Sequence, residues 1–121
     1  MAGTLVANVI NTDTGLFSTN NAYLGVAKAW INYNGNTNTI LGSFNVSSIT
    51  VNGTGDYSVN FTTAMPNSTY SAVYSETCQV GGSYGFGGIN SQTASAVRIT
   101  SMNNGGGGQN APLVNCIVIS S

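Results

Sequence analysis

Five side chains of Asp, Glu, Lys or Arg type occur in the chain: Asp13, Lys28, Asp56, Glu76 and Arg98. Two cysteines, Cys78 and Cys116, complete the reactive set, and there is no histidine. A nucleophilic serine or cysteine needs a base beside it, and Lys28 is the one lysine available. Glycoside hydrolysis needs two carboxylates at a set separation. Asp56 instead closes the turn "NGTGD", where aspartate commonly bonds backbone amides. Glu76 reads as a surface charge near a strand end, with Arg98 or Lys28 as its partner. "GGSYGFGG" (Gly81–Gly88) lacks the G-K-[ST] ending and following helix of a phosphate loop and reads as a wide hairpin loop. The carboxylate spacing of a calcium loop is missing, and two cysteines without histidine make a poor zinc set. These residues predict no cofactor and no enzyme.

Two readings of the cysteines stand. They are a reduced pair, as in a cytoplasm, or they form a Cys78–Cys116 disulfide after release from the cell. Such a bridge would close a loop of about 38 residues and contribute ~3–4 kcal/mol. Among the aromatics, Tyr23, Trp30, Tyr33 and Tyr84 could stack on sugar rings. The competing reading places large aromatics in the core or at a subunit interface. Tyr84 and Phe86, within the glycine-rich run, are the candidates for an exposed contact with a glycan or a protein partner. The N-x-[ST] sequons at Asn45, Asn52, Asn60 and Asn67 are what chance produces in a chain so rich in Asn, Ser and Thr.

Charged residues make up 4% of the 121 positions, against about 25% in an ordinary domain. Hydrophobic residues make up 41%, so the chain can build a core, and its polar surface must consist of hydroxyls and amides. Two cations without a cluster argue against phosphate neutralisation, hence against nucleic acid, and against a polybasic membrane patch. No run approaches the ~20 apolar residues of a membrane span. "MAGTLVANVI" lacks the basic and apolar regions of a signal peptide, which predicts synthesis in a cytoplasm without standard secretion. A net charge of −1 favours association over solubility as a monomer.

The elements that must carry these residues are strands. In "GDYSVNF", Tyr57, Val59 and Phe61 alternate with polar neighbours; "SSITV" precedes it across "NGTGD", which makes a hairpin. "TYSAVYSE" sets Tyr70, Ala72 and Tyr74 on one side. "GVAKAWINY" sets Ala27, Ala29, Ile31 and Tyr33 opposite Val26, Lys28 and Trp30. "SAVRITS" sets Val97 and Ile99 against Arg98. "LVNCIVIS" is apolar at consecutive positions, as in a central strand covered on both faces. "MPNS" (Met65–Ser68), "NGNTN" (Asn34–Asn38) and "NNGGGGQNAP" (Asn103–Pro112) read as turns. The expected fold is an all-β antiparallel β-sandwich, jelly-roll or Ig-like, of about eight short strands with negligible helix. Residues 22–121 form that domain. Residues 1–21 form either its first strand, over Thr4–Ile10, or an N-terminal arm that pairs with a neighbour.

From Ala22 to about Tyr74 the chain resembles a domain of virion proteins from tailed bacteriophages, especially aquatic ones. The resemblance rests on "KAWINYNG" and "SFNVSSITVNGTGDYSVNFTTAMPNSTYSAV", and "MAGTLVANVINTDTG" looks like the start of small free-standing members. Such domains are labelled tail-fibre or minor structural modules. The resemblance implies a non-enzymatic part of the virion, brings no catalytic residues with it, and does not reach the segment after Cys78. With no coiled-coil heptads for a fibre shaft, the chain reads as a capsid decoration or cement protein, a homo-oligomer and most simply a trimer at a symmetry axis. The arm residues Leu5, Val6, Val9, Ile10, Leu16 and Phe17 would dock on capsid proteins. The alternative is a tail-fibre or receptor-binding component that recognises host surface glycans.

Overall fold

The computed structural model describes residues 3–4, 24–77, 79–80 and 83–120. The six arm residues named above, Tyr23 and Cys78 lie outside them. The described residues form nine strands: β1 (Ala27–Asn34), β2 (Thr39–Phe44), β3 (Val46–Gly53), β4 (Asp56–Phe61), β5 (Ser71–Glu76), β6 (Gln79–Val80), β7 (Ser83–Gln92), β8 (Ala96–Asn103) and β9 (Val114–Ile119). They form a four-stranded sheet ordered β2-β1-β9-β5 and a five-stranded one ordered β3-β4-β8-β7-β6, with every pairing antiparallel. The expected β-sandwich is therefore observed. Helical backbone among the described residues is confined to Leu24 and Gly25.

Period-2 alternation decides which side chains meet between the sheets. Ala29, Ile31 and Tyr33 of β1, with Val114, Cys116 and Val118 of the adjacent β9, face Tyr57, Val59 and Phe61 of β4 and Val97 and Ile99 of β8. Each is less than a tenth exposed. Two edge-to-face aromatic pairs tie the core together: Tyr33 with Tyr57 at 5.1 Å, and Phe61 with Tyr70 at 5.8 Å between ring centres. The chain changes sheets between β2 and β3 at Asn45, whose φ of 54° is left-handed. Its side chain holds the corner by donating to the carbonyls of Lys28 (2.9 Å) and Thr63 (3.0 Å) and accepting from the Thr63 amide (2.7 Å). Asparagine tolerates that backbone better than most residues and satisfies three groups there.

Two sequence expectations are corrected. Ser83–Gly88 of "GGSYGFGG" is not a loop, because β7 starts at Ser83. Its glycines are needed where that strand runs over the core: a Cβ on Gly87 would fall 2.0 Å from the Thr100 carbonyl and 2.7 Å from the Tyr74 ring. β9 is central in its sheet, as its apolar run suggests, but among the described residues only one of its faces is covered. Ile117 and Ile119 stay 46% and 38% exposed on the other.

Candidate interaction surfaces

The outer face of the four-stranded sheet carries an apolar row assembled by strand register. Phe44 of β2 stands opposite Trp30 of β1, Trp30 opposite Ile117 of β9, and Ile117 opposite Val73 of β5. The four are 54%, 40%, 46% and 62% exposed. The Trp30 ring lies across Gly42, where a Cβ would sit 3.4 Å from it, so the indole is laid along the sheet. Ile119 extends the patch along β9. Around it stand Asn32 and Asn115, a directly opposed pair, with Ser71 and Ser75. Trp30 is thus no core residue: β1 buries residues 29, 31 and 33, which turns position 30 outward. Tyr33, a glycan candidate in the sequence, is 1% exposed and belongs to the core.

The outer face of the five-stranded sheet is chemically different. Asn60 donates to Ser48 and Thr50, and Asn52 donates to Ser58, in a ladder of neutral side chains across β3 and β4. Beside it Arg98 grips Asp56 through both carboxylate oxygens, with Nε to Oδ1 at 2.8 Å. This corrects two readings: Asp56 accepts from side chains and not from turn amides, and Arg98 is Asp56's partner and not Glu76's. The guanidinium holds the Asp56 carboxyl below the ordinary aspartate range, against a smaller upward push from burial. Since the folded pKa is depressed, its contribution to stability is present above pH ~4 and is lost as pH falls through the lower folded value. Asp56→Asn is therefore expected to lower the thermal midpoint modestly at pH 7. The difference from wild type should vanish in melts recorded in strong acid, below the folded carboxyl's titration. At one end of the same face Phe86 stands opposite Met102, with Tyr84 two residues along β7; Phe86 and Tyr84 are 50% and 64% exposed. Gly88, opposite Thr100, leaves open space beside them.

Glu76 is turned inward and is not a surface charge: its Oε2 accepts from the Tyr74 hydroxyl. Burial, and then the adjacent Glu76, push the Tyr74 phenol far above its ordinary range. Burial also pushes Tyr57 and Tyr70 up to about 12. Cys116 is a free thiol, 2% exposed, and burial pushes it up to about 11, which suppresses the reactive thiolate. Its cross-strand neighbours are Ile31 and Tyr74. At one end of the sandwich Val26, Lys28, Phe44, Asn45 and Thr63–Pro66 line an open groove of about 350 Å³. Among the described residues no three acidic, cysteine or histidine side chains converge.

Two features escaped the sequence. The apolar row is made of residues from four strands scattered between positions 30 and 117; the consecutive apolar residues of "LVNCIVIS" were its only local signal. The Arg98–Asp56 pair spans 42 residues and left no signal in composition or spacing. Together these surfaces define an antiparallel β-sandwich with an apolar row on one outer face, and on the other a neutral polar ladder, an ion pair and two exposed rings. Comparison with protein-family models, with curated proteins and with solved structures finds no match.

Proposed function

We propose that this chain is a non-enzymatic structural protein of a tailed-bacteriophage virion, and specifically a capsid decoration or cement protein that binds the outer shell and stabilises the head. The observation that carries the reading is the segregation of the two outer faces. Phe44, Trp30, Ile117 and Val73 offer association surface, while on the opposite face β3 and β4 present a ladder of hydroxyls and amides to water. Contacts of this kind need few charges, in keeping with a chain only 4% charged. The resemblance over residues 22–74 supports the virion assignment. Mechanistically, a protein of this kind adds buried surface between shell subunits; an interface of ~1,600 Å² repeated over many sites resists internal pressure. Leu5, Val6, Val9, Ile10, Leu16 and Phe17 supply the shell contact by strand addition or apolar docking. Removing residues 1–17 is expected to abolish co-sedimentation with virions while leaving the melting transition of the body in place. Undiminished binding by the truncated chain refutes the arm's role. Immunogold label confined to the tail of intact particles refutes the decoration reading.

A second reading has its own support. Tyr84 and Phe86 are exposed beside Gly88, Thr100 and the Arg98–Asp56 pair, an arrangement in which rings can stack on a sugar and polar groups can bond its hydroxyls. A tail component that reads host glycans would give specific hits on a glycan array, lost in Tyr84→Ala. A decoration protein gives none.

A further inference from the structure

We propose that the outer face of the β2-β1-β9-β5 sheet is the contact through which two copies of this chain pair, around a two-fold axis lying along the strands. The proposal deepens the assembly reading above by assigning self-association to the body, and its test needs no virion.

The first argument is the mismatch between sequence and fold in β9. Its residues are apolar at consecutive positions, the pattern of a strand buried on both sides. Val114, Cys116 and Val118 are at most 2% exposed, whereas Ile117 and Ile119 remain open to solvent. One cover is provided by the five-stranded sheet, and the described residues supply no other.

The second argument is the order of residues along the row. Phe44, Trp30, Ile117 and Val73 run from two rings to two smaller aliphatic groups. A two-fold axis along the strands reverses the row. It lays Phe44 over the partner copy's Val73-bearing edge and Trp30 over its Ile117-bearing strand, so bulk meets space at both ends. The two sheets would pack at the usual ~10 Å, with strands nearly aligned.

Charge is the third argument. Asn32, Asn115, Ser71 and Ser75 surround the row, Lys28 lines the end groove beside Phe44, and the Asp56–Arg98 pair lies on the opposite sheet. Stacking two identical faces normally opposes like charges; here, apart from Lys28 near one end of β1, the facing groups are amides and hydroxyls that can bond across the contact.

The area sets the strength. Four strands at ~4.8 Å spacing and about six residues at ~3.3 Å give a footprint near 400 Å² per copy. That lies below the ~800 Å² per partner of a standard stable interface. The pair is accordingly weak and reversible, and its formation depends on concentration. Because each copy uses this face once, the product is a dimer and not the trimer expected at a symmetry axis.

Sedimentation velocity of the full chain over a hundredfold concentration range tests this, with intrinsic fluorescence recorded in parallel. Trp30 is the only tryptophan, so its emission reports the face directly. The expected result is a monomer–dimer equilibrium accompanied by a blue shift of Trp30 emission as concentration rises. Val73→Lys, on an edge strand and 62% exposed, is expected to weaken dimerisation at least tenfold, as is Ile117→Lys. Tyr84→Lys, on the opposite face, should leave it unchanged. A far-ultraviolet circular dichroism melt of Val73→Lys establishes that its body is folded. A wild type that stays monomeric throughout overturns the proposal. So does a dissociation constant unchanged in folded Val73→Lys, or a trimer that the face variants leave intact. Dimers retained by the chain lacking residues 1–17, when that chain no longer binds virions, would uphold this contact independently of the arm's role.

Discussion

Replacing Tyr57 by alanine is expected to destabilise the domain by about 3–5 kcal/mol, the range for deleting a large buried aromatic. Tyr57 is 0% exposed and sits mid-sandwich on β4. Its ring packs edge-on against Tyr33 of the other sheet, and across β8 its register partner is Ile99. Its hydroxyl donates to Asn110 Oδ1 at 2.6 Å, and the same oxygen accepts the Gly55 amide at 2.8 Å. Removing the side chain leaves a cavity between the sheets and takes away one of the two hydrogen bonds that Asn110 Oδ1 accepts. Native domains hold only about 5–15 kcal/mol in total, so this single change takes a large share. Urea denaturation should show a midpoint far below wild type. Tyr57→Phe separates the two contributions: it keeps the ring and is expected to cost only about 0.5–1.5 kcal/mol for the lost hydrogen bond. Equal losses in both variants would contradict the assignment of stability to ring packing.

The second large effect is expected at Gly55. Its φ of +68° lies where a side chain is strained, and a Cβ there would meet the Ser101 carbonyl at 2.2 Å and the Gln109 carbonyl at 2.6 Å. Those atoms are backbone and cannot swing aside. The turn is clamped on both sides: the Gly55 carbonyl accepts the Ser101 amide at 2.6 Å and its own amide donates to Asn110. Left-handed strain alone costs about 1–3 kcal/mol, and displacement of two backbone contacts adds to it. Gly55→Val is expected to lose about 3 kcal/mol or more. The control is two residues away: Gly53 has nothing within 4 Å of its Cβ position. Gly53→Val should change stability by no more than about 0.5 kcal/mol, the usual size of surface effects. The pair of denaturation curves reads the difference directly, and coincident curves would remove the clamp from the account.

The consequence for assembly follows from the same geometry. Pairing within the four-stranded sheet lines up Phe44, Trp30, Ile117 and Val73, and that sheet is packed on the other through contacts such as Tyr33 on Tyr57. A destabilised core is therefore expected to lose association along with fold. Val73→Lys, by contrast, touches association alone. Measuring both classes of variant separates a surface that binds from a body that merely has to exist.

The strands themselves were legible because alternation is local. Tyr57, Val59 and Phe61 announced β4, and Ala29, Ile31 and Tyr33 announced the buried side of β1. The "NGTGD" hairpin was readable for the same reason, since a tight reversal needs only adjacent residues with the right backbone freedom. Where two explanations shared one pattern, reading failed. "GGSYGFGG" looked like a loop because glycine weakens strands in isolation; the need for bare backbone arises only when β7 passes over Tyr74 and Thr100. Glu76 looked exposed because its charge suggested a solvated strand end, although alternation puts it on the half-buried side of β5 with Tyr74, whose hydroxyl donates to it.

Sequence alone thus determined an all-β body with hydroxyls and amides in place of surface charge, because side-chain period and composition need no long-range information. Tertiary structure alone decided the partner of Asp56, the outward turn of Trp30 and the merging of four scattered apolar residues into one row. Those outcomes depend on which strands become neighbours and in which register. A period of two says that successive side chains oppose each other, but only the packing of distant strands chooses which side is inside and what its outer face adds up to.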